Sequence, residues 1–207
     1  MSFITLSNDT IHEVSSLSTM WIVMMAIMML PTTAPWIIAL RNLSVESTAR
    51  TAITFLGGYL VIWTLFAFGA ALTQHLLHKA ALVSHMGAPY TPHIGAFLLA
   101  VAGIYQLTPL KRRCLRHCQS PVSFFLSRWR DGRWGALQMG AHHGIYCLGC
   151  CWALMLLAFV SGVMNLTWMI GATVYVFVDQ VMLTGAALTT TSGLILLACS
   201  AWVLLGV

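Results

Sequence analysis

The chain has 207 residues, of which 59% are hydrophobic and only 7% are charged, with a formal net charge of +5 at pH 7. A soluble domain carries about 25% charged residues, so this composition excludes a protein that faces water on all sides. An integral membrane protein fits, and only helical bundles and closed barrels satisfy every backbone polar group in lipid. The apolar runs are about 20 residues long and do not alternate in polarity, which predicts an all-α, polytopic transmembrane helical bundle.

Six transmembrane spans are predicted in chain order, after an N-terminal tail of residues 1–17. They form a single bundle, residues 18–207, with spans over about 18–40, 51–77, 93–110, 135–160, 163–183 and 187–206. Pro31 and Pro35 predict a kink near the inner end of the first span. The third span is expected to continue as a helix through LKRRCLRHCQS and to stop before Pro121.

The basic residues predict the orientation of the bundle. Seven of the ten Lys and Arg residues lie in the loop 111–134, namely Lys111, Arg112, Arg113, Arg116, Arg128, Arg130 and Arg133. By the positive-inside rule this loop is cytoplasmic, and both termini then lie outside. Because topology accounts for the basic loop, we expect no nucleic-acid partner. The expected partner is the lipid bilayer, including its anionic head groups.

The fourth span carries a cluster of metal-ligand side chains on one helix face. Counted from His143, the thiols of Cys147, Cys150 and Cys151 are four, seven and eight residues on, within one arc of the helix. Small residues on the same side, Ala136, Gly140 and Gly144, allow a neighbouring helix to approach closely. This face is therefore expected to point into the bundle, with Cys147 and Cys150 near the bilayer centre.

The first span adds thioethers, because Met24 and Met28 are four residues apart and reach a similar depth. Thiolate, thioether and imidazole are the donors that suit Cu(I), and thiolate and imidazole also suit zinc as a second choice. The alternative is inert packing, since buried Cys and Met both fill apolar cores well.

A second set of potential ligands, Cys114, His117 and Cys118, lies at the predicted inner surface. Cys147 is expected to lie roughly 16 Å deeper along its own helix, at 1.5 Å per residue. The two cysteine sets are therefore not expected to share one ion, although they could be two stations on one path. Histidines on the outer side could collect a metal or could be ordinary interfacial residues: His12, His75, His78, His85 and His93.

Several sequence blocks resemble one known family. The blocks are MWIVMMAIMMLPTTAP (20–35), AGIYQLTPLKRRCLRHCQSP (102–121), HGIYCLGCCWALM (143–155) and GVMNLTWM (162–169). They resemble a bacterial integral membrane family of unknown function, labelled predicted metal-binding membrane protein. The resemblance implies a multi-pass protein of the bacterial inner membrane whose matching metal ligands are Cys114, Cys118, His143, Cys147, Cys150 and Cys151.

Family members commonly show Glu-Lys where this chain has Asp179 and Gln180. Asp179 either keeps the role of that carboxylate or pairs with the basic inner loop.

Three functions are compatible with these features. The first is a copper-handling membrane protein that binds, delivers or translocates Cu(I). The second is an auxiliary or structural subunit of a larger membrane complex, which could itself contain copper. The third is an enzyme acting alone, but Cys147 and Cys150 are awkwardly placed for a redox disulfide, and no Ser-His-Asp set or carboxylate pair is present. We therefore do not expect catalysis by this chain on its own.

Overall fold

The computed structural model describes residues 2–43, 49–84, 89–163, 165–182 and 185–206, and these residues are almost entirely helical. In the described ranges the only strand-type pairing is an isolated bridge between Val83 and Pro89. The helices, in chain order, are α1 (Ser2–Met29), α2 (Ala34–Leu43), α3 (Ala49–Lys79), α4 (Pro92–Leu107), α5 (Pro109–Cys118), α6 (Pro121–Arg128), α7 (Gly132–Met155), α8 (Ala158–Ser161), α9 (Leu166–Val181) and α10 (Gly185–Leu205). The prediction of an all-α fold is confirmed.

Helices that could cross a membrane account for four or five of the six predicted spans. Within the described residues, four apolar helical segments have the required length: Thr10–Leu43, Ala49–Lys79, Gly132–Ser161 and Ala187–Leu205. A fifth is obtained if α4 and α5, which are bent by 67° from each other, count as one broken span. The remaining predicted span corresponds to α9, which is apolar but has only 16 residues.

The prolines interrupt the first long helix, as predicted. Helix α1 ends at Met29, a 3-10 turn covers Pro31–Thr33, and α2 follows directly. Pro31 has no backbone N–H to donate, so the regular hydrogen-bond pattern of α1 stops there. The hydroxyls of Thr32 and Thr33 donate to the carbonyls of Met29 and Leu30, at 2.8 and 2.7 Å. The segment that was expected to be a tail is helical from Ser2 onward.

The third span does not continue straight, which corrects the sequence-based expectation. Thr108 has an extended backbone (φ −70°, ψ 147°) because the ring of Pro109 disfavours a helical conformation in the residue before it. The Thr108 side chain then caps a new helix by accepting a hydrogen bond from the Lys111 backbone N–H at 3.3 Å. As a result α5 leaves the direction of α4 and lies along α7.

Among the described residues, α3 and α7 share the most extensive helix contact, and small residues allow them to approach closely. A Cβ on Gly140 would overlap the Phe55 carbonyl, and a Cβ on Gly58 would overlap the Leu137 carbonyl. A Cβ on Gly144 would lie only 3.0 Å from the Ile62 side chain. The predicted close approach of a neighbouring helix along this side of α7 is confirmed.

Candidate metal centre

Helix α7 places the predicted ligand face in the interior. His143, Cys147, Cys150 and Cys151 are all buried, with at most 2% of their surface exposed. Helical periodicity predicted this shared face, and the burial confirms that it points into the bundle rather than outward. All six cysteines are free thiols.

Helix α5 brings the second cysteine set onto the first. The Sγ atoms of Cys118 and Cys150 are 3.9 Å apart, and Cys114 lies against Gly149, where an added Cβ would come within 2.9 Å of its sulfur. The Trp36 indole fixes this end of α5 by donating to the Cys118 carbonyl at 3.2 Å. The expectation that the two sets are too far apart to share an ion was therefore wrong. It assumed that α5 prolongs α4, whereas the bend at Thr108 turns α5 along α7.

The thiols of α7 are held by their own helix. Cys150 and Cys151 both donate to the Cys147 backbone carbonyl, each with a sulfur–oxygen distance of 3.0 Å. Within the described ranges, no three side chains from His, Cys, Asp and Glu are arranged to hold a metal ion. The contact between Cys118 and Cys150 brings together two thiols from different helices.

Gln180 on α9 contacts two of these thiols. Its amide nitrogen lies 3.4 Å from the Cys147 sulfur and 3.1 Å from the Cys150 sulfur. The amide is buried, so its N–H groups are directed at sulfur instead of water. Sequence reasoning noted Gln180 only as a replacement for the family's usual Lys. A polar side chain in an apolar segment was the available signal for a role at the site.

Tyr59 on α3 closes the other side of the thiol cluster. Its hydroxyl lies 3.3 Å from the Cys147 sulfur and donates to the Met29 carbonyl at 3.2 Å. The same hydroxyl is 3.3 Å from Thr32, so the 3-10 turn of the first span reaches the thiols through Tyr59. No pattern in the sequence pointed to this residue.

A buried ion pair lies beside the thiols. The Lys111 ammonium and the Asp179 carboxylate are 2.9 Å apart, with only 0% and 4% of their side chains exposed. Lys111 also donates to the Gln106 side chain, and Thr189 donates to Asp179 at 3.2 Å. Of the two alternatives for Asp179, pairing with the basic segment is the one observed.

His143 lies in an aromatic box and not among hydrogen-bond partners. Its ring stacks on Trp36 with 3.8 Å between ring centroids, and on Tyr59 with 5.2 Å. Neither ring nitrogen has a hydrogen-bond partner in the described part of the chain. A buried imidazole without partners is costly, so it is available for a ligand that supplies the missing interaction.

The methionines predicted as ligands are buried in the same core. Met24 and Met28 belong to one hydrophobic cluster with Cys118, Cys147 and Cys150. Thioethers that share a dry interior with thiols suit a soft ion, although the same burial also serves packing.

Among the described residues, the outer histidines do not form a group of three that could hold a metal ion. His75 contacts Glu13 at 3.4 Å, and a ring nitrogen of His78 lies 3.1 Å from the Val83 carbonyl oxygen. His12 and His93 are exposed, and His85 lies outside the described residues.

By donor type alone, the side chains of this region suit a soft metal ion. Four buried thiols, two buried thioethers and an imidazole without partners lie in this part of the core, and the one carboxylate nearby is already paired with Lys111. Such donors select Cu(I) or Zn(II) over hard cations.

Comparison with known proteins gives one informative result. Neither the curated proteins nor the solved structures contain a match to this chain. The profile of the copper chaperone family PpoB2 matches residues 18–203. This range includes all the thiols and thioethers described above. The family's description as a copper chaperone agrees with the chemistry of these donors. The chain belongs to the copper chaperone family PpoB2.

Proposed function

We propose that this chain is an integral membrane protein that binds Cu(I) as cargo within its helical bundle and passes it to a partner. The observation that carries the proposal is the buried contact between Cys118 on α5 and Cys150 on α7, at 3.9 Å between sulfurs. Two thiolates are a sufficient soft donor set for Cu(I). Membership of a copper chaperone family supports copper over zinc.

Binding would change the hydrogen bonds of the thiols. A thiol must lose its proton to bind a metal, so loading releases protons. The hydrogen bonds that Cys150 and Cys151 now donate to the Cys147 carbonyl are then lost. Each side chain becomes free to turn to another rotamer. Cys147, Cys151 and Cys114 are the proposed alternative sulfur ligands, with His143, Met24 and Met28 as further candidates, and one Cu(I) would use only a few of these donors at a time.

The exposed arginines of α5 support a proposal for the depth of the thiols in the membrane. Arg112, Arg113 and Arg116 are exposed, while their neighbours Cys114 and His117 pack against Gly149 and Tyr146. Exposed guanidinium groups avoid the hydrocarbon layer. This supports a site at the inner edge of the bilayer, instead of the centre that the sequence suggested.

We retain the six-span arrangement as part of the proposal, in the bacterial inner membrane with both termini outside. It requires α9 to cross as the fifth span although it has only 16 residues. A helix of that length covers about 24 Å, which is less than the hydrocarbon thickness of about 30 Å. Local thinning or the flanking residues would have to make up the difference.

Metal content tests this function directly. The protein is purified in mild detergent under reducing conditions, loaded with Cu(I), and its metal is counted by mass spectrometry. We expect about one copper per chain in the parent and a loss of most of it in Cys118→Ser and Cys150→Ser. Cys199→Ser is the matched control, because this exposed thiol on α10 is outside the cluster. Equal copper in all four proteins would contradict the proposal.

A second candidate, an auxiliary subunit of a larger membrane complex, is favoured by the surface of α10. This helix leaves large apolar side chains exposed, including Leu194, Ile195, Trp202 and Leu205. Lipid or a partner subunit could cover this face. A particle much larger than one chain after extraction from its own membrane would favour the subunit, whereas a monomer that holds copper would favour the carrier.

A further inference from the structure

A polar cavity of about 600 Å³ opens between α6, the linker that follows it and the first half of α7. Arg128, Arg130, Gln138 and His142 form its polar wall, and Phe124 and Trp129 are among its apolar neighbours. The cavity is separate from the thiols: it lies one to three turns of α7 before Cys147, on the basic side of the molecule. We propose that it binds the phosphate group of an anionic phospholipid.

The charge of the cavity favours an anion. Arg128 lies 2.9 Å from a ring nitrogen of His142, and Arg130 donates to the Gln138 side chain. Both partners are uncharged acceptors, and within the described residues neither guanidinium forms an ion pair. The nearby Asp131 does not line the cavity and accepts the Trp129 indole N–H at 2.7 Å. Two positive charges therefore face the cavity without a carboxylate to balance them.

The donors match a phosphate group in kind. Each guanidinium has five N–H donors, and within the described residues each makes one side-chain hydrogen bond. Planar guanidinium groups bind phosphate oxygens through two parallel hydrogen bonds. His142 lies 2.9 Å from the Arg128 guanidinium through one ring nitrogen, and this contact helps to hold that guanidinium at the cavity wall.

The apolar side of the cavity favours a lipid over free phosphate. Phe124 and Met139 belong to an apolar cluster with Trp36 and Phe55, and Trp129 is 38% exposed beside the arginines. Tryptophan is enriched where a bilayer meets water, and basic pockets on the cytoplasmic side bind anionic head groups. This inference rests on the proposed membrane placement, but it does not depend on copper.

Lipid retention tests the inference. The copper-free full-length protein is delipidated in detergent, incubated with phosphatidylglycerol, phosphatidylcholine or inorganic phosphate, and examined by native mass spectrometry and thermal unfolding. We expect one phosphatidylglycerol to be retained and to raise the unfolding temperature by several degrees. Phosphatidylcholine and inorganic phosphate should have little effect.

Variants with equal loss of charge separate a site from general attraction. Arg128→Gln with Arg130→Gln should reduce phosphatidylglycerol retention at least fivefold. Arg113→Gln with Arg116→Gln, on the exposed surface of α5, should leave it unchanged. Size-exclusion profiles show that each variant is folded. The inference is overturned if both pairs lose lipid equally, if phosphatidylcholine binds equally well, or if inorganic phosphate stabilises as strongly as the lipid.

Discussion

At the scale of single residues, the candidate site depends on side chains that no ligand motif contains. Gln180 directs its amide N–H groups at the sulfurs of Cys147 and Cys150. The side chain is buried, so water does not compete for these contacts. A thiolate that accepts hydrogen bonds from an amide is stabilised in its charged form. The amide N–H contact to Cys150, at 3.1 Å, therefore favours the form of this thiol that binds a metal.

We expect Gln180→Leu to weaken Cu(I) binding. A hydrogen bond to a charged group contributes about 1.5–3 kcal/mol, so the affinity should fall roughly 10- to 100-fold. Competition with a chromophoric Cu(I) chelator measures this change. Gln138→Leu, an exposed position on α7, is the control and should bind copper normally. An unchanged affinity in Gln180→Leu would show that the amide has only a packing role.

The sequence predicted which ligand side chains share a face of one helix, but it did not predict which helices bring further side chains to them. One helix determines which side chains share a face, so the grouping of His143 with Cys147, Cys150 and Cys151 was predictable. The contact of Cys118 with Cys150 depends on a bend of 67° between two helices, and spacing along the chain does not encode that angle. Tyr59 reaches the site from another helix, and its contact with Cys147 could not be predicted from the sequence either.

At the scale of helices, the contact of α3 with α7 positions the thiols, because Tyr59 and Cys147 meet across it. Gly140→Ala should destabilise the protein by about 2 kcal/mol or more, since the new methyl group overlaps the Phe55 carbonyl. Gly57→Ala is the matched control, because a Cβ there meets nothing within 4 Å. Thermal unfolding in detergent should show a lower midpoint for Gly140→Ala alone; equal midpoints would contradict this packing.

The ion pair that joins α5 to α9 gives a second prediction at this scale. Lys111→Met leaves the buried Asp179 carboxylate without a counter-charge, which typically costs about 3–5 kcal/mol. Lys111→Met combined with Asp179→Leu removes both charges and should recover much of that loss. Unfolding midpoints of the two single variants, the double variant and the parent measure the coupling. A double variant as unstable as the sum of the single variants would exclude a direct pair.

At the scale of the whole molecule, the number of membrane crossings decides on which side of the membrane residue 207 lies. With six spans and both termini outside, alkaline phosphatase fused after residue 207 should be active, whereas a fusion within residues 111–134 should be inactive. If α9 does not cross, the C-terminal fusion is inactive and a fluorescent protein at the same position is bright. The two reporters together therefore separate six crossings from five.

The close pair of sulfurs is divided between two distant parts of the chain. Cys118 and Cys150 are separated by 32 positions and lie on helices that must dock before the sulfurs meet. A nascent chain that has not yet extended to Cys150 contains only the first thiol of the pair, Cys118. Under the proposed function, copper capture by both thiols therefore cannot precede the docking of α5 on α7, and acquisition of the metal would be a late event in the biogenesis of the protein.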